Sequence, residues 1–217
     1  MIDAGNGPPL VLVPGIQARW EWMRPTVTAL ARHFRVLSFT LAGEAASEHG
    51  FEPRLGFDNF IVQLDRVLEE AHVPEAVICG VSYGGLIALR YAALRPDRVR
   101  QLVLVSALAP TFAPDDRVRF YARAPRLLLP VFGVAAWRRA RRELRAALPR
   151  WPDRLRFAAG QGARVLLAPV SPRRMVQRIE LLSTVDFHES ATHVQACTLV
   201  VAGDEELDLT VPVRHTR

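Results

Sequence analysis

The sequence contains no lysine, and all 28 of its basic side chains are arginine. Cysteine is also scarce: Cys79 and Cys197 are the only two, and neither belongs to a CxxC pair or lies near a histidine at metal-ligand spacing. This pattern argues against a disulfide framework and against a cysteine-based metal site. Because both cysteines lie in or beside apolar runs, we expect buried thiols in a protein of a reducing compartment.

Long apolar runs are absent too. No stretch reaches the roughly 18 consecutive apolar residues of a membrane-spanning helix. Residues 1–5 carry neither the basic region nor the apolar run of a secretory signal. The sequence therefore predicts a soluble, cytoplasmic protein, and its 50% of hydrophobic residues are enough for a sizeable core.

The positive charge is concentrated in one part of the chain. Residues 1–110 contain 10 arginines and 11 acidic residues, whereas residues 117–178 contain 16 arginines and only two acids, Glu143 and Asp153. The formal net charge of +6 therefore belongs to a single segment.

Apolar patterning predicts an alternation of strands and helices. Short apolar runs bounded by glycine, proline or polar residues predict buried parallel strands over residues 10–14, 35–40, 77–80, 101–106 and 198–202. Apolar spacing of three and four residues predicts helices over residues 22–33, 58–72 and 83–94. This order is typical of an α/β protein, with a mostly parallel sheet covered by helices on both faces.

The arginine-rich segment lies between the fourth and fifth predicted strands. These strands are separated by about ninety residues, too many for a plain connection. We therefore predict a helical cap over residues 111–190, inserted between two parts of the core, residues 1–110 and 191–217. The clearest cap helix presents one apolar face, formed by Trp137, Ala140, Leu144 and Leu148.

One short motif could carry chemistry. Gly80-Val81-Ser82-Tyr83-Gly84 fits the pattern G-x-S-x-G, with an apolar strand before it and a helical pattern after it. The glycines two residues before and after the serine allow strand and helix to approach closely, and the helix N-terminus directs N–H groups at an oxyanion formed beside the serine. Ser82 is therefore a candidate nucleophile. The alternative is a glycine-lined turn with an inert serine.

The motif and the run Leu10-Val11-Leu12-Val13-Pro14-Gly15-Ile16 resemble the α/β-hydrolase fold family, and the resemblance extends over nearly the whole chain. It implies an oxyanion hole formed by the backbone N–H groups of Ile16 and Tyr83. It also implies a substrate pocket beside Gly15 and Trp20, although Trp20 and Trp22 could instead fix the start of the first helix. No metal or organic cofactor is implied.

The segment around residues 195–212 resembles the family's strand and loop that carry the catalytic acid. Counting forward from Gly203 indicates Glu206, whereas counting back from Pro212 indicates Asp208. We favour Asp208, because the carboxylate must lie just before the next helix to reach an imidazole.

The histidine that such a serine needs is not evident. The family supplies it from a loop after one further strand, and His215 follows Asp208 too closely to lie in such a loop. His188 falls where the chain returns from the cap to the sheet and could approach the pocket rim. We do not expect His215 to be the base, and we expect the other five histidines to be structural or exposed: His33, His49, His72, His188 and His193.

Both ends of the predicted sheet raise a question of stability. Residues 2–9 resemble only the tail of the hairpin that begins the family's sheet, and no strand is predicted after residue 202. We therefore expect both edge elements to be missing, with low stability or self-association through the exposed edges.

The basic helix around residues 137–145 admits three interpretations. It is a solvated lid helix, a lid that contacts an anionic membrane surface while residues 127–132 insert, or a site for anionic ligands. No nucleic-acid-binding module is recognisable, so we expect no nucleic-acid partner.

These observations predict a serine hydrolase acting on a small ester or related acyl substrate, with Ser82 and Asp208 as catalytic residues. Its activity is in doubt for want of a histidine. The alternative is a non-catalytic member of the fold that binds a ligand or partner in the capped pocket.

Overall fold

The computed structural model of the protein describes residues 1–112 and 143–203, together with the isolated positions 120, 134, 138 and 141. The described strands are β1 (Ile2–Ala4), β2 (Pro9–Val13), β3 (Arg35–Ser38), β4 (Ala76–Val81), β5 (Val99–Val105) and β6 (Thr198–Val201). They form one sheet in the order β1-β3-β2-β4-β5-β6, in which β1 is antiparallel to β3 and every other pair is parallel.

The described α-helices are α1 (Arg24–Leu30), α2 (Asn59–Glu70), α3 (Tyr83–Leu94), α4 (Trp151–Leu167), α5 (Pro172–Leu181) and α6 (Phe187–Thr192). Short 3-10 helices occupy Trp20–Met23, Pro53–Asp58, Pro96–Arg98 and Leu182–Thr184. Side chains cap two of the helices. The Asp186 carboxylate accepts a hydrogen bond from the Glu189 N–H at the start of α6, and the Ser171 hydroxyl accepts one from the Arg174 N–H at the start of α5.

The sheet buries apolar side chains on both faces. Along β2, Val11 and Val13 join the larger core cluster, whereas Leu10 and Leu12 join a second cluster that also contains Val27 of α1. This alternation follows from the two-residue period of a strand. Helices α2 and α3 contribute to the larger cluster, so the predicted sheet with helices on both faces is confirmed.

The N-terminal edge differs from the prediction. Residues 2–4 form β1, in which Ile2 pairs with Ser38 and Ala4 with Val36. The expectation that the chain lacks an edge strand at this end is therefore wrong. A positive φ of 84° at Gly5 helps the chain to reverse direction between β1 and β2. An ion pair of 2.6 Å between Asp3 and Arg35 joins β1 to β3.

The helix predicted over residues 22–33 also begins differently. The chain first makes the 3-10 turn Trp20–Met23, and α1 then starts at Arg24 with Pro25 in its first turn. Proline is tolerated there because the first helical N–H groups have no acceptor within the helix. By contrast, the helix predicted over residues 83–94 matches α3 at both ends.

Helices α4, α5 and α6 lie between β5 and β6, within and just beyond the range predicted for a cap. The Trp22 indole Nε1 donates to the Ala168 carbonyl at 3.0 Å, which joins the end of α4 to the segment before α1. Trp137, Ala140 and residues 127–132 lie outside the described residues, so the three interpretations of the basic helix stay open. No helix in the described ranges is long and apolar enough to cross a membrane.

The two thiols lie in different environments. Cys79 is buried in β4, and burial raises its pKa to about 11. Cys197 is exposed, so the expectation that both are buried is wrong for Cys197. It directly precedes β6, whose four residues are all exposed.

Candidate active site

Ser82 occupies a strained position between β4 and α3. Its φ of 54° and ψ of −117° lie in a region of backbone conformation that residues other than glycine rarely adopt. Backbone hydrogen bonds hold it there: its N–H donates to the Val105 carbonyl and its carbonyl accepts from the Gly85 N–H, both at 2.9 Å, and the Leu108 N–H also donates to its carbonyl at 3.5 Å. The strand, the sharp turn and the helix predicted around this residue are all present.

The neighbouring glycines are required by close backbone packing. A Cβ atom on Gly80 would lie 2.3 Å from the Gly84 carbonyl oxygen, and one on Gly84 would lie 2.5 Å from the carbonyl oxygens of Pro14 and Val13. No side chain fits at such distances. The glycines therefore allow β4, α3 and the loop after β2 to meet at Ser82.

A cavity of about 240 Å³ opens beside this turn. It is lined by Pro14, Gly15, Gln17, Ala18, Arg19, Trp22, Met23, Val81 and Ser82. Gly15 lies close to Ser82, since a Cβ on it would be 3.6 Å from the Ser82 Cβ. The tryptophan in the lining is Trp22 rather than Trp20, whose ring packs against the Arg24 guanidinium at 5.4 Å.

The two N–H groups expected to form an oxyanion hole belong to Ile16 and Tyr83. Tyr83 is the first residue of α3, where an N–H has no acceptor within the helix. Among the described residues, neither the Ile16 N–H nor the Tyr83 N–H donates a hydrogen bond.

Backbone strain is concentrated at this edge of the sheet. Four described residues other than glycine have a positive φ, and three of them are Ala18 (64°), Ser82 (54°) and Ser106 (41°). Ala18 and Ser82 line the cavity, and Ser106 directly follows β5. Such strain costs about 1–3 kcal/mol at each residue and is common at functional sites.

Two charged residues that sequence reasoning missed lie next to the site. The Arg178 guanidinium of α5 forms a buried ion pair with Glu44 at 2.6 Å, with both side chains 3% exposed. It also donates to the Ile16 carbonyl at 2.9 Å. A signal was present in the sequence, because Arg178 lies three residues after Met175 and four before Leu182, within the apolar stripe of its helix.

Burial affects the ionisation of the groups around Arg178. It lowers the pKa of the Arg178 guanidinium, and the hydrogen bond and the charge of Glu44 oppose that change. Burial also raises the pKa of the Tyr83 hydroxyl well above its usual range, although the charge of Arg178 lowers it. Tyr83 is therefore a neutral donor at physiological pH, and its hydroxyl donates to the Arg178 carbonyl at 3.1 Å.

The remaining predicted residues are not brought to the cavity. Asp208, Glu206 and His215 lie outside the described residues. Of the five described histidines, none lines the cavity; four are exposed, among them His188 on α6, and His49 is half-buried. Within the described part of the chain, no group of three or more histidine, cysteine or acidic side chains could hold a metal ion.

Comparison with known proteins agrees with this geometry. A family model described as the alpha/beta hydrolase fold matches residues 8–186. The chain belongs to the α/β-hydrolase fold family. RutD from Azorhizobium caulinodans, assigned as a carbamate hydrolase, is 27% identical over 203 residues, which cover 93% of this chain and 75% of RutD.

Two further similarities extend this result. The pimeloyl-(acyl-carrier protein) methyl ester esterase of Nitrosospira multiformis is 34% identical over 114 residues, which cover 52% of this chain and 43% of the esterase. This match therefore spans less than half of that relative's length. The crystal structure of the enol-lactonase from Burkholderia xenovorans LB400 has a TM-score of 0.70 and 22% identity, and the superposition covers 99% of this chain and 81% of the lactonase. The curated relatives are hydrolases, and the structural match confirms the fold.

Proposed function

We propose that this α/β hydrolase uses Ser82 as a nucleophile on the carbonyl of an ester or related acyl substrate. The Ser82 oxygen attacks the carbonyl carbon while a histidine base takes the hydroxyl proton, and the bond from the acyl carbon to the alcohol oxygen breaks as the alcohol leaves with that proton. Water then cleaves the resulting acyl-enzyme, which releases the acid and restores the serine hydroxyl. The observation that carries the proposal is the strained backbone of Ser82 at the junction of β4 and α3, beside the cavity. Strain of this kind holds the side chain clear of both elements.

The backbone N–H groups of Ile16 and Tyr83 are the proposed oxyanion donors. A developing negative charge near Ser82 would also lie at the N-terminus of the twelve-residue helix α3, where the helix dipole favours it. Removing one donor from such a hole typically slows a reaction by about 10²–10³. We assign Asp208 the role of orienting a histidine base. The described histidines supply no candidate for that base.

The substrate class is drawn from the relatives. The names of the two curated relatives specify a carbamate and a methyl ester, and both groups contain an acyl carbon bonded to a heteroatom. We therefore propose small-molecule ester hydrolysis as the reaction to test first. The cavity of about 240 Å³ favours a small acyl group.

A fluorophosphonate probe tests the nucleophile, because it phosphonylates activated serines. We expect one adduct per chain, located on Ser82 by peptide mass spectrometry and abolished in Ser82→Ala. Ser106→Ala is the matched control, since Ser106 also has a positive φ and follows the neighbouring strand. Its adduct yield should equal that of the unaltered chain. An adduct on any other residue, or none, would count against Ser82.

A second candidate is a non-catalytic protein that binds a ligand in the same cavity. The observation that favours it is that no described histidine lines the cavity beside Ser82. Saturable binding of a small ester, measured by calorimetry in a chain that the fluorophosphonate does not modify, would support this candidate over the hydrolase.

A further inference from the structure

Arg178 contacts both residues that the proposed oxyanion hole requires. Its guanidinium donates to the Ile16 carbonyl at 2.9 Å, and its own backbone carbonyl accepts from the Tyr83 hydroxyl at 3.1 Å. The third partner, Glu44, follows β3 and binds the guanidinium at 2.6 Å. A single residue of α5 therefore joins two loops and the first residue of α3 around Ser82.

Backbone hydrogen bonds among the described residues shape the loop after β2. The Gly15 carbonyl accepts from the Ala18 N–H at 2.8 Å, and the Ala18 carbonyl accepts from the Leu41 N–H at 2.9 Å. The Gly15 carbonyl and the Ile16 N–H belong to one planar trans peptide and point in opposite directions. Arg178 holds the next peptide through the Ile16 carbonyl, so both peptides that flank Ile16 are anchored.

Stability alone is a poor explanation for this ion pair. Desolvating two charges offsets most of their mutual attraction, and apolar residues of similar volume often serve a core equally well. Moreover, the buried Arg178 Nε has no hydrogen-bond partner among the described residues. The arrangement therefore leaves one donor unsatisfied and still directs the other guanidinium nitrogens at Ile16 and Glu44.

We propose that Arg178, held by Glu44, is a positioning residue that sets the direction of the Ile16 N–H in the oxyanion hole. The inference rests on the function proposed above. Arg178 acts through the Ile16 backbone, and α5 is the element that carries this control. Loss of the guanidinium frees the Ile16–Gln17 peptide, and rotation of that peptide about Ile16 shifts the adjoining Gly15–Ile16 peptide and misdirects its N–H.

The decisive variant combines Glu44→Gln with Arg178→Met. It removes both charges together, so no unpaired charge is left in the core, and methionine cannot donate to Ile16. Arg178→Lys is the conservative variant, because it keeps the charge and a donor. Arg174→Met is the matched control: Arg174 lies on the same helix, and its guanidinium bonds to the Gln177 side chain.

Two measurements are made on each full chain. Hydrogen exchange by mass spectrometry follows the peptide that contains residues 14–18, with a β4 peptide as the reference for global stability. We expect exchange at residues 14–18 to be about tenfold faster in the double variant, intermediate in Arg178→Lys and unchanged in Arg174→Met, with β4 unchanged throughout. The rate of fluorophosphonate labelling at Ser82 should fall by about tenfold or more in the double variant.

The outcomes separate the two proposals. Unchanged exchange at residues 14–18 in the folded double variant overturns the positioning role, whatever the labelling shows. Faster exchange with an unchanged labelling rate also overturns it. Arg178 would then hold the loop after β2 without affecting the oxyanion hole. If the unaltered chain is not labelled, the proposed nucleophile fails, and exchange at residues 14–18 still decides whether Arg178 holds the loop. Should the double variant not fold, Arg178→Lys gives the same test.

Discussion

At the residue scale, the site depends on the absence of side chains at two glycines next to Ser82. Ser82 adopts its strained backbone because Gly80 and Gly84 lack side chains where β4, α3 and the loop after β2 converge. The strain is offset by the packing of these three elements and by backbone hydrogen bonds to Ser82. A methyl group at either glycine must therefore move backbone rather than a flexible side chain.

We expect Gly80→Ala to lower the free energy of unfolding by about 2 kcal/mol or more, because its Cβ would overlap the Gly84 carbonyl. Gly162→Ala is the control. Gly162 lies within α4, and an added Cβ would have no neighbour within 4 Å apart from the adjacent residues and the backbone of its own helix, so the better helix propensity of alanine should raise stability by about 0.5–1 kcal/mol. Urea denaturation of both variants measures this difference. Equal effects of the two substitutions would contradict the packing account.

At the element scale, α2 holds the loop that contains Glu44 through side-chain hydrogen bonds to its backbone. Gln63 of α2 is 2% exposed, and its side chain accepts from the Ala42 N–H at 2.8 Å and donates to the Thr40 carbonyl at 2.9 Å. One helix side chain thus satisfies two backbone groups of a buried loop. The position of Glu44, and through it that of Arg178, depends on this contact.

We expect Gln63→Leu to lower the free energy of unfolding by about 1–3 kcal/mol, because the buried Ala42 N–H loses its acceptor, whereas the Thr40 carbonyl keeps its hydrogen bond from the Ser47 hydroxyl. Gln161→Leu on α4 is the comparison, because among the described residues its side-chain oxygen accepts from the nearby Arg164 Nε alone. Gln161→Leu should change the free energy of unfolding by no more than about 0.5 kcal/mol. Chemical denaturation gives both values, and a near-neutral Gln63→Leu would show that water replaces the lost hydrogen bonds.

At the scale of the whole molecule, the two ends of the described sheet differ. β1 closes one end with a short antiparallel strand, whereas β6 forms the other end and is exposed along its length. Leu199, Val200 and Val201 are 58%, 46% and 43% exposed. An apolar edge strand with unpaired backbone groups is a template for pairing with another chain.

We therefore expect the purified chain to self-associate as its concentration rises. The net charge of +6 opposes contact at low ionic strength, so salt should strengthen the association. Val200→Lys should weaken it, because a charge on an edge strand disfavours pairing. Leu167→Lys, at the exposed end of α4, should leave it unchanged. Sedimentation velocity over a range of concentrations measures both, and a monomer at every concentration would refute the expectation.

Much of this architecture could be read from local patterns. The parallel strands follow from short apolar runs, and the limits of α3 follow from the glycines before it and the helical spacing within it. The turn at Ser82 is local as well, because five consecutive residues determine whether a strand can pass so sharply into a helix. β1 was not predicted because three residues are too few to show an apolar pattern. Pairing with β3 stabilises this strand.

The amino-acid sequence by itself therefore determined the α/β class, the family and the position of the candidate nucleophile, since each depends on residues close together in the chain. Only the tertiary structure decided that Arg178 pairs with Glu44, 134 residues away, and holds Ile16, 162 residues away. Nothing in the spacing of an arginine and a glutamate indicates such a contact. It exists because folding brings α5, the loop after β3 and the loop after β2 together in the protein interior. A single charge buried there without its partner would be strongly destabilising.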